Sequence, residues 1–183
     1  NVIVADFPLR WTVAGMSSLF EQGINVVITS QRAIPASLLD PKIKNRSRIH
    51  YLMANIEASQ VEGDNNWALL LDPDGFIAEG TGDNFFIVKD GEVWTSTGEF
   101  CLDGITRRKI LDLCEANGIP SFEKDFTTEE VRIADEAFVT GTFAGLTPVV
   151  EYDGEPMSGG RRGQMTERLQ SLYIEMIRSE CGG

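Results

Sequence analysis

Three Asp-Gly pairs, each set between short apolar runs, constrain this chain more than any other feature. A two-residue reversal between strands needs positive φ, and glycine adopts it without a Cβ penalty. Residues 67–80 (WALLLDPDGFIAEG) therefore read as strand, Asp74-Gly75 turn, strand. Residues 84–95 (NFFIVKDGEVWT) repeat that logic around Lys89-Asp90-Gly91, and 149–152 (VVEY) run into a further turn at Asp153-Gly154. Residues 1–7 (NVIVADF), 26–28 and 138–140 add strand candidates, and hairpins of this kind predict antiparallel pairing.

Helical periodicity interrupts the hairpins. Within 45–59, Ile49, Leu52, Met53 and Ile56 recur at i, i+3, i+4, i+7 and form one helix face. A second helix is predicted from Thr106 to Ala116, after Gly104 and stopped by Gly118 and Pro120. Thr127 and Glu130 have capping-box spacing. Met165, Leu169, Leu172, Tyr173, Met176 and Ile177 share a face of the last helix. Pro35 and Pro41 forbid a regular helix over 32–44, and the mixed stretch 8–18 reads as a linker. The predicted class is α+β, antiparallel strands with helices laid against them.

Composition removes several functions. Twenty-eight acidic against 16 basic residues give a net charge of −12, which repels a phosphate backbone and excludes nucleic acid as a partner. No apolar run approaches the roughly 18 residues that span a bilayer, and no signal-peptide pattern opens the chain, so no membrane partner and a cytoplasmic location are expected. A start at Asn1 rather than Met predicts that the 183 residues are a piece of a longer chain. Cys101, Cys114 and Cys181 have neither zinc nor redox spacing. His50 is the only histidine, so no imidazole metal site is expected, and no GxSxG elbow accompanies it. Difficult chemistry here points to an organic cofactor.

Four segments carry candidate chemistry. Lys44 stands at the mouth of the first long helix after Ile43, where partial burial would free its amine as a nucleophile. Glu79 ends a strand beside Gly80, Gly82 and Asn84 (EGTGDNFF), and a carboxylate there can hold a protonated heterocyclic nitrogen. Gly104, Ile105 and Thr106 open a helix whose free N–H groups suit an anion such as phosphate. In 140–149 (TGTFAGLTPV), Gly and Thr offer amides and a hydroxyl to a second anion. Taken singly, each has an ordinary reading: a solvated lysine, a turn acid, a helix cap and a glycine turn.

Taken in order and at these separations, the lysine, EG-x-x-x-N, GITR and GT-x-x-x-x-TPV resemble the class IV aminotransferases over residues 23–177. That family includes branched-chain and D-alanine aminotransferases, (R)-selective amine transaminases and aminodeoxychorismate lyases. The resemblance implies the large, barrel-like domain of a fold-type IV pyridoxal 5'-phosphate enzyme. Residues 19–183 would form this domain, 8–18 the interdomain loop, and 1–7 the last strand of a small N-terminal domain of roughly one hundred residues or more.

It also implies roles. Lys44, favoured over Lys42 in KIK, would carry the cofactor covalently and shuttle the substrate proton. Glu79 would hold the pyridine nitrogen, with Asn84 counted among the cofactor contacts. The Ile105 and Thr106 amides and the Thr142 hydroxyl would bind phosphate, and Thr142 and Phe143 would meet the substrate carboxylate. The family tyrosine near the phenolic oxygen is replaced by Ile49, leaving Arg48 and Tyr51 as substitutes.

The implied activity is amino transfer between a branched-chain L-amino acid and 2-oxoglutarate in a homodimer. The alternatives are a D-amino acid or (R)-amine transaminase, an aminodeoxychorismate lyase suggested by Lys44-x-x-Ser47-Arg48, or a catalytically silent binding fragment.

Overall fold

The computed structural model describes residues 13–143 and 145–182, so the strand expected at 1–7 and the first part of the expected linker lie outside the described residues. Among the described residues, nine strands share one sheet: β1 (Ile24–Arg32), β2 (Asn66–Leu71), β3 (Ile77–Gly80), β4 (Asn84–Lys89), β5 (Glu92–Thr95), β6 (Ser121–Glu123), β7 (Glu136–Gly141), β8 (Gly145–Tyr152) and β9 (Glu155–Pro156). Their order is β3-β2-β1-β8-β7-β4-β5-β6, with β9 paired to β8. Five helices accompany them: α1 (Leu19–Gln22), α2 (Ile49–Ala58), α3 (Ile105–Ala116), α4 (Thr128–Arg132) and α5 (Gln164–Cys181).

The α+β class and the three hairpins stand as expected: β2 with β3, β4 with β5, and β8 with β9 are antiparallel. Asp90 and Gly91, like Asp153 and Gly154, have positive φ, the conformation their turns demand. Between the hairpins the sheet also holds parallel pairs, β1 with both β2 and β8, and β5 with β6. The cause is connectivity. The segment 33–48 and α2 return the chain to the start of the sheet before β2, and α3 does the same before β6, so each following strand runs in the same direction.

β4 shows why the middle of the sheet reads as a continuous apolar run. Its alternating side chains enter two cores: Phe85 and Ile87 join Leu69, Val139 and Tyr152, whereas Phe86 and Val88 join Ile110, Phe138 and Leu169 under α3 and α5. Phe86 and Phe138 are register partners, and their rings stack at 4.8 Å. Thr127 and Glu130 form the full capping box of α4. The start of α5 is held from β7, where the Glu136 carboxylate accepts the Met165 and Thr166 N–H groups at 2.8 Å each.

The apolar face predicted for the first long helix faces outward. Ile49, Leu52, Met53 and Ile56 are 65%, 53%, 47% and 45% exposed. α2 instead lies on β1 and β2 through Ala54 and Ala58, with Tyr51 beside them, against Val27, Ala68 and Leu70. Small residues let the helix approach the sheet closely and leave the large ones outside. No helix among the described residues is long and apolar enough to cross a membrane.

Candidate active site

β3 ends at Gly80, the 81–83 turn follows, and β4 starts at Asn84. β7 runs antiparallel to β4 with Asn84 opposite Thr140, so its end at Gly141 reaches the same rim of the sheet. The N-terminus of α3 comes to that rim as well. Together they enclose a cavity of about 240 Å³ whose wall includes Lys44, Glu79, Asn84, Ile105, Thr106 and Thr142. Residues up to 98 positions apart in the chain are thereby brought together, counting from Lys44 to Thr142. A larger recess of about 900 Å³ shares Lys44, Arg48, Asp83 and Thr142 and adds Phe143, Trp67 and Arg46.

Lys44 is exposed, not partly buried as its apolar neighbour suggested, because the segment before α2 runs over the surface. Its side chain nevertheless lines both spaces and a small cleft behind Glu79, whereas Lys42 lines none of the three. The two lysines of KIK are thus separated by position alone.

Glu79 is 4% exposed. Oε2 accepts the Leu102 N–H at 2.9 Å, and Oε1 accepts a short hydrogen bond from the Tyr51 hydroxyl. Burial pushes the Glu79 carboxyl above the ordinary carboxylate range. The Tyr51 and Leu102 hydrogen bonds and the Arg48 and Lys44 charges pull it back, but burial wins. The Tyr51 phenol is raised in turn, first by burial and then by the Glu79 charge, so it remains a donor. Arg48 lies over the Tyr51 ring at 4.3 Å and reaches the 240 Å³ cavity, whose wall does not include Tyr51.

The floor is built by one side-chain amide. Asn84 Nδ2 donates to Leu102 O at 2.8 Å, and its Oδ1 fills the place a Cβ on Gly104 would take. Asn84 therefore fixes the 102–104 turn from which α3 starts, and one of that amide's two N–H donors is spent there. Gly104 caps α3 without any side-chain hydrogen bond, which leaves first-turn N–H groups for a ligand. Ile105 points its side chain outward at 78% exposure, so it can contribute through its backbone. Below that turn, buried Arg107 donates to Ser96 O at 2.7 Å and to Glu123 Oε1 at 2.5 Å, tying α3 to β5 and β6. Thr142 and Phe143 form the exposed turn after β7.

Two wall residues escaped the sequence reading. Thr140 is buried, and its hydroxyl has no hydrogen-bond partner among the described residues. Thr140 and Thr142 stand two apart at a strand end, a spacing that puts both on one side and gave a usable signal. Asp83 lies half-buried against Gly80, and its carboxyl is pushed up to about 7, first by burial and then by the Glu79 charge. Nothing in the sequence distinguished it from an ordinary turn acid.

An α+β sheet with a lysine, a buried carboxylate and an uncapped helix start around one cavity is the framework of an enzyme that handles a small anionic cofactor or substrate. The amino-transferase class IV pattern matches residues 3–152, and the chain belongs to that family. It is 40% identical over 178 residues to the branched-chain-amino-acid aminotransferase of Pseudomonas aeruginosa, covering 97% of this chain and 57% of that enzyme. It is 31% identical to the D-alanine aminotransferase of Listeria monocytogenes, covering 100% of this chain and 63% of that one. The crystal structure of the T.th. branched-chain amino acid aminotransferase with pyridoxamine 5'-phosphate superposes with a TM-score of 0.82 at 32% identity, over 87% of this chain and 52% of that one. The chain thus spans little more than half the length of such relatives.

Proposed function

We propose that the protein transfers amino groups between a branched-chain L-amino acid and 2-oxoglutarate with pyridoxal phosphate as cofactor. The observation that carries the reading is the convergence of Lys44, Glu79, the α3 N-terminus and Thr142 on one cavity. The site fits the group. An uncapped helix start and the unpartnered Thr140 hydroxyl suit a phosphate, and the buried Glu79 carboxylate suits a protonated pyridine nitrogen. Gly82, Gly104 and Gly141 keep the wall free of side chains there.

When bound, the cofactor supplies an electron sink for negative charge at the substrate Cα. Lys44 would hold it covalently, and once the substrate amine has displaced the lysine from that link, its freed amine would carry the Cα proton. Glu79 holds the proton on the ring nitrogen. The Ile105 and Thr106 amides, with the Thr142 and Thr140 hydroxyls, bind the phosphate. Arg48 reaches the cavity while the Tyr51 hydroxyl is engaged by Glu79, so Arg48 would be the side chain free to hold the cofactor's phenolic oxygen. Asn84 serves this site by holding the 102–104 turn. Thr142 and Phe143, at the boundary with the larger recess, meet the substrate carboxylate.

The higher identity to a branched-chain enzyme than to a D-alanine enzyme supports the L-specific reading. The outward apolar face of α2 supports a homodimer, which we expect in the cytoplasm. Turnover of L-leucine, D-alanine and aminodeoxychorismate, measured side by side on the protein as the cell makes it, tests this reading. L-leucine with 2-oxoglutarate should be fastest. Preference for D-alanine or for lyase chemistry would replace the substrate assignment, and no turnover with no cofactor uptake would leave a binding module.

A further inference from the structure

The Tyr51–Glu79 pair is joined by a short hydrogen bond at a small cleft that adjoins the 240 Å³ cavity and shares Lys44, Arg48, Glu79 and Leu102 with it. Sequence alone offered Tyr51 as a cofactor contact, and the engagement of its hydroxyl by Glu79 points instead to a role through that carboxylate. We propose that Tyr51 is a positioning residue which keeps the Glu79 carboxylate ionised and turned toward the cavity, with Arg48 clamping the phenol from above. The role deepens the proposed function and rests on it.

The physical reasoning begins with burial. A carboxylate that is 4% exposed tends to take up a proton, and a protonated Glu79 could not hold a pyridinium. Two donors oppose that tendency, one to each oxygen: the Leu102 N–H on Oε2 and the Tyr51 hydroxyl on Oε1. Each oxygen keeps one further lone pair for a ligand. A backbone amide is fixed by the fold, so the phenol is the side chain through which this sequence sets the balance. Arg48, 4.3 Å above the ring, fixes the phenol by a cation–π contact and adds positive charge near the carboxylate. The other groups that bear on Glu79 are Lys44, Asp83 and the buried thiol of Cys101.

The test is a ¹³C NMR titration of Glu79 in cofactor-free protein, wild type against Tyr51→Phe, repeated in an Asp83→Asn background to remove the adjacent acid. Loss of the phenol should raise the Glu79 midpoint by about one pH unit or more. With cofactor, the limb of the pH–rate profile set by Glu79 should move up by a similar amount, which a purely structural role would not do. In unaltered protein, the Tyr51 ring signal should shift at the Glu79 midpoint, so the proposal stays testable if Tyr51→Phe misfolds. An unmoved Glu79 midpoint, or a Tyr51 signal blind to it, overturns the proposal while leaving the function intact. Failure of the wild type to bind pyridoxal phosphate would instead overturn the function, and the cofactor-free titration would still judge the pair.

Discussion

Gly104 and Asn84 should behave as one unit when substituted. Gly104 has φ −68° and ψ 136°, a conformation alanine adopts freely, so Gly104→Ala brings no backbone strain. Its cost is steric, because the new Cβ collides with Asn84 Oδ1. Either Asn84 turns away or the first turn of α3 moves. If Asn84 turns away, its bond to Leu102 O is lost, at about 0.5–1.5 kcal/mol, while that carbonyl keeps the Gly104 N–H. Asn84→Ala removes the same bond directly and should cost a similar amount. With Asn84 already truncated there is room for the Gly104 methyl, and glycine-to-alanine then costs only the N-cap preference, about 0.5–1 kcal/mol, which the single Gly104→Ala variant carries as well. The double variant should therefore be about as destabilised as Gly104→Ala alone, with a coupling of about 0.5–1.5 kcal/mol in a double-mutant cycle. Urea unfolding of the four proteins gives the free energies, and a cofactor titration should show the same pattern, since both changes disturb the turn proposed to bind the phosphate. Additive losses would show that Asn84 and Gly104 do not share the contact on which the account of this turn depends.

Two further predictions concern the wall of the cavity. Thr140→Val replaces a hydroxyl that has no partner among the described residues, so cofactor-free stability should hold or rise, while pyridoxal phosphate affinity falls about tenfold or more. Lost stability with unchanged affinity would mean that the hydroxyl serves the fold. Asp83 is raised from its ordinary 3.8 to about 7, so the folded chain retains a proton that the unfolded chain releases between those values. Its contribution to stability therefore falls as pH rises through that window. Asp83→Asn should flatten that limb of the stability–pH curve, and parallel curves for variant and wild type would refute the assignment.

The hairpins were legible because an Asp-Gly turn is a local event: positive φ at Asp90, Gly91, Asp153 and Gly154 is dictated by two residues at a time. The same locality exposed the α4 capping box and the start of α3. The parallel pairings were not legible, since β1 meets β2 and β8 only through packing of segments distant in sequence. The buried face of α2 was misleading for a related reason. Periodicity reports where large apolar side chains lie, and the sheet here selected the alanines. At the site, the order and spacing of four short segments pointed to the residues that line the cavity. The Tyr51–Glu79 bond depends on how α2 is rotated over the sheet, and Asp83 on how its turn folds back over Gly80, so neither left a trace in the sequence.

Borohydride reduction of the cofactor-loaded protein, followed by peptide mapping, bears most directly on the central claim. The pyridoxyl label should fall on Lys44, in the peptide that leads into α2, and Lys44→Ala should abolish both label and amino transfer. A label on Lys42 or another lysine, or no label at all, would contradict the proposed chemistry.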